Sequence, residues 1–436
     1  VATVLGIDFG TTNSVVAALD TASGHVQSHR FVVGDQSHDV FRSVLCFWAQ
    51  PERGRTLVRH AAGPAAVTAY LEDPLDSRLV MSTKTHLASR NFTTTTIFGR
   101  NWTLEELIGL LLREFLGAAG LQDSRLHIVA GRPVRFAGDA ADDSLGETRL
   151  RAAFAHAGFA DIDVALEPEA AGYRFTRSLQ GPATVLIGDF GGGTSDFSIL
   201  RFEPGSRTPI TALGQSGVGI AGDTFDARIM DHSVSPHLGR GTHYTPWGNA
   251  LPVPAEWYSA FARWHRLSLM RSPRTLRDIA EVRRTAERPD MLDHLVRLVE
   301  DEQGYGLYRA VSTAKAELSA ADTTTLAFRH EGFSIKQKIS RDDFNAWIAP
   351  ELQRLDDAIT SALADAALGD AAIDRVFLTG GTAFVPAVRA LFGQRFGAAR
   401  VSGGGEFVSV AEGLALIGGD RLGECRASNA SPPRVI

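Results

Sequence analysis

Cysteine is nearly missing from this chain: Cys46 and Cys425 are the only two in 436 residues, and they lie far apart. That argues against a disulfide framework and makes a reducing compartment the default. Long apolar runs are missing too, none approaching the roughly 20 residues that cross a bilayer. No basic leader or apolar segment precedes the strand-like run Val1–Ile7. The expectation from these absences is a cytoplasmic protein without a membrane partner. Neither sign of charge dominates: 44 Lys and Arg stand against 50 Asp and Glu, a net of −6. Such a balance gives no pull toward nucleic acid. Arg263 to Arg284 is locally basic, yet it falls short of a sustained basic face and reads as a solvated helical surface. There is no GxxxxGK[ST] phosphate loop and no kinase catalytic loop.

What is present is a hydrophobic fraction of 44%, enough for a large core and for two to four domains by length. Strand-like runs at Val4–Ile7, Val15–Leu19, Leu126–Ala130, Thr184–Ile187, Phe197–Arg201 and Val376–Thr379 alternate with helical stretches. The helices are expected at Leu104–Ala119, behind a Thr103/Glu106 capping box, and at Thr148–Ala157, Tyr305–Ala320, Arg341–Ala367 and Val385–Phe396. The alternation predicts an α/β fold. Gly181-Pro182 marks a boundary within Ser178–Ala183. The Pro-, Gly- and His-rich stretch Ser233–Pro254 reads as a long loop or insertion. Residues from about Arg426 onward read as a frayed tail.

One internal echo carries the chemistry. Val4-Leu5-Gly6-Ile7-Asp8-Phe9-Gly10-Thr11-Thr12 leads into a second strand, and so does Val185-Leu186-Ile187-Gly188-Asp189-Phe190-Gly191-Gly192-Gly193-Thr194. Each is a strand, an aspartate, a Gly/Thr turn and a return strand, which suggests two similar lobes. Gly10-Thr11-Thr12-Asn13 and Gly191-Gly192-Gly193-Thr194 suit a phosphate chain, because glycine lets backbone N–H groups approach an anion and hydroxyls add donors. Asp8, Asp189 and Asp196 would repel bare phosphate, but they suit a Mg²⁺ ion that keeps most of its water. Either hairpin alone could be an ordinary tight turn; the matching pair is what argues for a site. A third glycine junction, Gly380-Gly381-Thr382, joins the strand Val376–Thr379 to a helix near Pro386. On Tyr305–Ala320, helical spacing puts Ser312, Lys315 and Ser319 on one face, which lines a nucleoside pocket or is simply solvated.

Gly6-Ile7-Asp8-Phe9-Gly10-Thr11-Thr12-Asn13-Ser14 and Gly188-Asp189-Phe190-Gly191-Gly192-Gly193-Thr194-Ser195-Asp196 resemble the two phosphate motifs of the DnaK-type 70-kDa heat-shock family. Leu166-Glu167-Pro168-Glu169-Ala170-Ala171-Gly172 resembles its connecting motif, and Leu378-Thr379-Gly380-Gly381-Thr382 its adenosine motif. Lys84, Pro133, Asp226, Lys315 and Gly413 fall in the expected order, so the resemblance spans about residues 3–419. The length and the segment Gly131-Arg132-Pro133-Val134 are similar to YegD-like members. The resemblance implies a two-lobed, actin-like ATPase fold, each lobe with an RNase H-like core and a smaller inserted subdomain. Lobe I would be residues 1–182 with an insertion at about 40–115, lobe II residues 183–420 with an insertion at about 230–305, and 421–436 a tail. It also implies ATP or ADP with Mg²⁺ as ligands. Thr11, Thr12, Asn13 and Gly191 to Thr194 would contact phosphates, with Gly10 in the same turn. Asp8 and Asp189 would hold the hydrated ion. Lys84 and Glu167 would position the attacking water and the γ-phosphate, with Asp196 nearby. Lys315, Ser319, Gly380, Gly381, Thr382 and Phe384 would hold the nucleoside.

The chain departs from the family where the base should bind: Ala316 stands in place of an arginine, Phe384 in place of another, and Phe407, beside Glu406, in place of an acid. Gly217-Val218-Gly219-Ile220-Ala221-Gly222 matches GxGxxG, but Thr242 stands where a dinucleotide fold needs an acid, so a tight loop between lobes is expected. His232, His237 and His243 lack metal-ligand spacing. The leading expectation is an ATP-binding, slowly hydrolysing, chaperone-like protein. Alternatives are a small-molecule kinase of the same superfold, which would need an acceptor, and a non-hydrolysing nucleotide-dependent scaffold. With about twenty residues after Gly413, no peptide-gripping β-sandwich is expected, so any protein client would meet the lobes directly.

Overall fold

Each aspartate hairpin forms the middle of a mixed sheet. In the first, β1 (Thr3–Phe9) runs antiparallel to β2 (Asn13–Asp20), which pairs onward with β3 (Val26–Ser28) and, at its start, with the short β4 (Phe41–Arg42). On its other side β1 pairs in parallel with β5 (His127–Arg132), and β5 with β6 (Asp163–Leu166). The second sheet repeats this order. β7 (Ala183–Phe190) runs antiparallel to β8 (Ser195–Phe202) and β8 to β9 (Ile210–Val218), while β10 (Arg375–Thr379) and β11 (Val401–Gly403) add in parallel. The sequence dictates the central strands. Val4, Leu5, Ile7 and Phe9 are all fully buried, the near-continuous apolar run of a strand covered on both faces.

The computed structural model describes residues 3–33, 36–52, 55–73, 76–123, 125–136, 141–176, 181–191, 193–203, 210–261, 270, 272–301, 303–330, 332–403 and 409–429. Among the helices, α1 (Leu104–Ala118) begins at the capping box read from the sequence: Glu106 N–H donates to Thr103 Oγ1 at 3.2 Å, and Thr103 N–H to Glu106 Oε2 at 2.8 Å. α2 (Asp143–Ala157) starts earlier than the expected Thr148, because Asp142 caps it by accepting from Leu145 N–H at 3.0 Å. Gly146 hides that start in the sequence. Its missing side chain makes room for the Phe136 ring, which a Cβ would approach to 2.5 Å.

α3 (Glu167–Thr176) follows β6 without a linker. It and α7 (Ser409–Asn429) lie between the two sheets, where Ala170, Ala171, Leu414 and Ala415 share a core with Val4 and Val129 of the first sheet and Val185 and Phe202 of the second. The crossing is close enough that a Cβ on Gly413 would sit 1.8 Å from the Ala170 carbonyl oxygen. Between them in the chain come α4 (Gly222–Ile229), α5 (Gly304–Ala320) and α6 (Arg341–Asp365), the last capped by Ser340.

Two expectations need correction. Residues 421–436 read as a tail, yet α7 continues through Asn429, and residues 430–436 lie outside the described ones. Gly418 lies inside this helix, and a Cβ on it would come within 2.6 Å of Val4 and Val129, so the glycine permits close packing on the first sheet. Ser233–Pro254 is less loop-like than its composition suggests. His243–Tyr244 pairs with Leu251–Pro252, and Val234, Leu238 and Val253 are buried in the core beneath. Of the boundary Ser178–Ala183, residues 178–180 lie outside the described ones, and β7 begins at Ala183. No helix among the described residues is long and apolar enough to cross a membrane.

Candidate functional site

The two hairpins point their turns at one cavity of about 650 Å³. Both turns depend on local backbone chemistry. A Cβ on Gly10 would lie 2.1 Å from the Asn13 carbonyl oxygen, so the first turn closes only around glycine. In the second, Gly191 N–H donates to Thr194 O at 2.9 Å. A third edge comes from Gly380, which has φ 88° and packs so tightly that a Cβ would meet Phe190 O at 2.0 Å. Asp8, Gly10, Thr11, Thr12, Asn13, Lys84, Glu167, Asp189, Gly191, Gly193, Thr194, Asp196, Lys315, Ser319, Gly380, Gly381, Thr382 and Phe384 all line this cavity. Gly192, Glu406 and Phe407 lie outside the described residues.

Lys84 sits in the polar segment Ser82-Thr83-Lys84-Thr85, yet its side chain turns inward. Ser82, with φ 54°, turns the chain into the short helical turn Thr83–His86, and Lys84 is only 9% exposed. Its Nζ lies 2.6 Å from Glu167 Oε1. Glu167 is equally sequestered because it opens α3 at the end of β6, where the connecting motif leads into helix. An ion pair this deep is held by geometry, since desolvating both charges offsets much of their attraction.

Around this pair stand three aspartates with displaced acidities. Asp8, near the end of β1, has its carboxyl pushed up to about 7, first by burial and then by the Glu167 charge, with Lys84 pulling it down. Asp189, at the same place on β7, is raised well above the usual carboxylate range by burial, then by Glu167, Asp8 and Asp196. Asp196 sits opposite Asp189 in the β7–β8 register, and burial and Glu167 raise it to about 7. Its Oδ1 is buried without a hydrogen-bond partner, while Thr194 Oγ1 donates to Oδ2 at 3.4 Å. Burial lowers the Lys84 ammonium, but Glu167 and Asp8 outweigh it and hold the group above its ordinary value. Four carboxylates sharing one ammonium is an arrangement poised for added positive charge. Among the described residues no group of three or more His, Cys, Asp or Glu side chains is set to grip a metal directly. The orphaned Asp196 oxygen and the raised Asp8 and Asp189 carboxyls fit a hydrated divalent cation held through water.

The other end of the cavity is built by α4, α5 and the Gly380 turn. Ser312, Lys315, Ala316 and Ser319 of α5 face into it, which decides the open question of the polar stripe in favour of a lining. Lys315 Nζ donates to Gly222 O at 3.0 Å and stands 2.9 Å from Asp226 Oδ2, an ion pair without good hydrogen-bond alignment. Phe384 is 45% exposed at the rim, so it is not core. The GxGxxG stretch also changes meaning. Instead of a loop that merely packs, its last glycine, Gly222, borders the cavity with Asp223, the first acid of α4. Sequence reasoning missed Arg42, Thr85, Asp223 and Tyr308, which line the same space. Only Gly222-Asp223 at a helix start offered a signal. The histidines set aside as metal ligands include His232, whose ring stacks on Trp347 at 4.7 Å.

The family described as Hsp70 protein matches residues 297–429 of this chain. The protein described as chaperone protein DnaK from Thermus thermophilus is 25% identical over 449 aligned residues, which cover 98% of this chain and 62% of the relative; a second strain gives the same figures. The DnaK of Deinococcus proteolyticus is 24% identical over 408 residues, 89% of this chain and 54% of that protein. This chain therefore spans about 62% of the length of the Thermus relatives.

Proposed function

We propose that this chain, which matches the Hsp70 family over residues 297–429 and resembles the nucleotide-binding part of its DnaK relatives, binds ATP with Mg²⁺ and hydrolyses it slowly in the cavity between the two hairpins. The observation that carries this reading is the buried Lys84–Glu167 pair set among Asp8, Asp189 and Asp196 beside two Gly/Thr turns. In this reading the sheets are the RNase H-like cores of a two-lobed, actin-like ATPase, divided near residue 182, and the site residues take the roles the motifs imply.

Backbone N–H groups and hydroxyls of Thr11, Thr12, Gly191, Gly193 and Thr194 hold the phosphate chain. Asp8 and Asp189 would hold a hydrated Mg²⁺ ion, which would supply neutralisation of phosphate charge. Lys84, fixed by Glu167, orients the γ-phosphate and the attacking water. Asp196 Oδ1, buried, unpartnered and titrating near 7, accepts the proton that water loses. Phosphoryl transfer asks for little beyond such positioning and charge stabilisation. A change of cleft shape with nucleotide would let a protein partner distinguish ATP from ADP through differential affinity.

Calorimetric titration with Mg-ATP and Mg-ADP, followed by phosphate release without any acceptor, tests this reading. Binding with slow release is expected. Release that waits for an added small-molecule acceptor would make the chain a kinase, and tight binding with no release a nucleotide-dependent scaffold.

A further inference from the structure

Lys84 hangs on a segment that lies outside the described strands. After the strand Ser77–Met81, Ser82 turns the chain and Thr83–His86 forms one short helical turn. The chain then continues in single turns, closed by bonds such as Ser89 N–H to His86 O at 3.1 Å. Turns of this kind leave carbonyl oxygens short of partners, and Leu87 and Ala88 are fully buried. Buried carbonyls need donors from elsewhere.

The donors come from α2, of which no described residue lines the cavity. Arg149 spreads its guanidinium over four carbonyl oxygens. Its Nη1 donates to His86, Leu87 and Ser89 at 3.4, 3.3 and 2.8 Å, and its Nη2 donates to Phe92 at 2.9 Å. At the start of the same helix, Asp142 N–H donates to the remaining one, Ala88 O, at 3.1 Å. The guanidinium is itself held, because its Nε stands 3.1 Å from Glu105 Oε1 in the first turn of α1. The Arg149 side chain is only 13% exposed, and its planar fork is what lets one residue serve both ends of the stretch from His86 to Phe92. That anchored stretch begins two residues after Lys84, and Leu87 N–H donates back to Lys84 O at 3.2 Å. The backbone that bears Lys84 is therefore tied to α2 through Arg149, while the Lys84 ammonium reaches Glu167 on α3.

We propose that Arg149 is a positioning residue for the reaction in the cleft: it fixes the Lys84 segment on α2, so that the ammonium meets Glu167 and the γ-phosphate in one orientation. This rests on the nucleotide reading of the cleft. Arg149 lines no part of the cavity and acts only through Lys84. Glu167 holds the tip of that side chain and Arg149 the backbone from which it grows. Catalysis by positioning depends on such support, since a displacement of about 1 Å can cost about 10²-fold in rate. Affinity depends on it less, because the Gly/Thr turns carry most of the hold on the phosphate chain.

The test compares the wild type with Arg149→Ala, Arg149→Lys and Arg395→Ala. Arg395 is a comparably buried guanidinium that ties Asp356 to Asp370 and does not line the cavity, so its loss reports on stability alone. Three readouts are taken on folded protein: kcat for phosphate release, Mg-ATP affinity by calorimetry, and amide hydrogen exchange of residues 82–92 without ligand. In Arg149→Ala, kcat should fall by about tenfold or more, affinity should change by less than about twofold, and the segment should exchange at least about tenfold faster. Arg149→Lys, which keeps the charge without the fork, should fall between, and Arg395→Ala should keep kcat and the exchange of this segment. Unchanged kcat in Arg149→Ala, or in Arg149→Lys should only that variant fold, would overturn the proposal. So would unchanged exchange, affinity that falls in step with kcat, or an equal loss of kcat in Arg395→Ala. A wild type that neither binds ATP nor releases phosphate sinks the nucleotide reading and the proposal with it. That failure shows before any substitution is made, while the exchange measurement still reports whether Arg149 holds the segment.

Discussion

Lys84→Ala removes the ammonium that Asp8, Glu167, Asp189 and Asp196 share, and the structure fixes how the loss should depend on pH. Breaking a buried ion pair by deleting one partner typically costs about 3–5 kcal/mol, because the other charge is left desolvated. Lys84 and Glu167 are both under 10% exposed and 2.6 Å apart, so the pair falls in that class. The full cost should appear only where the surrounding carboxyls are ionised. Asp8 and Asp196 are raised to about 7 from a usual value of 3.8. For an acid raised on folding, the stabilising effect of holding the proton is complete below the unfolded value and is lost as pH rises through the folded one. Lys84 pulls both groups down, so its removal raises them further. Near pH 8.5 the variant keeps buried charge without its cation and should lose about 3 kcal/mol. Near pH 5.5 Asp8 and Asp196 carry protons in both proteins, and the deficit should shrink by about 1–2 kcal/mol, since each tenfold change in an acid dissociation constant is worth about 1.4 kcal/mol. Chemical denaturation at the two pH values reads this directly. Adding Glu167→Gln should recover part of the loss, since the orphaned carboxylate goes too. Phosphate release should be abolished in the variant while ATP affinity stays within roughly tenfold. A deficit equal at both pH values, or below about 0.5 kcal/mol at pH 8.5, would refute the argument that this pair is a buried charge clamp.

Asp8→Asn and Asp189→Asn should each lower turnover on the order of 10²-fold, as loss of one charge-stabilising group does, without destabilising the ligand-free protein, because an amide relieves like-charge crowding; turnover at the wild-type rate would remove them from the site. Mg-ATP binding needs those carboxyls ionised, so affinity should fall between pH 8 and pH 6, and binding near pH 7 should release protons. Titration heats that do not vary with the ionisation enthalpy of the buffer would contradict this. Phe384→Ala should weaken ATP by about tenfold, within the 1–3 kcal/mol of a base–aromatic stack, and leave tripolyphosphate unaffected; equal ATP affinity would mean the ring does not touch the base.

Much of the architecture was legible because it is local. The runs around Asp8 and Asp189 are apolar enough to be central strands and end in Gly/Thr turns, the first of which only glycine closes, so strand, turn and return strand follow from the residues themselves. The Thr103/Glu106 box fixes the start of α1 for the same reason. Helix ends beyond such signals are hidden where glycine serves packing: Gly146 masks the start of α2, and Gly418 and Gly419 mask the continuation of α7 across the first sheet.

The sequence by itself determined the two Gly/Thr turns, the acids beside them and the resemblance to the Hsp70 family, because each motif is a short stretch whose chemistry depends on neighbouring residues. Only the tertiary structure decided that Lys84, from a segment that reads as exposed, is buried against Glu167, 83 residues further on. They come from different elements, a short helical turn and the start of α3, and only the folded chain brings them together. It also decided that Arg42, Asp223 and Tyr308 meet at one cavity, since they come from β4, α4 and α5, and no periodicity links them. The acidities of Asp8, Asp189 and Asp196 belong to the same class of fact. Burial raises them first and Glu167 second, and both arise only when two sheets and the helices between them close around the site.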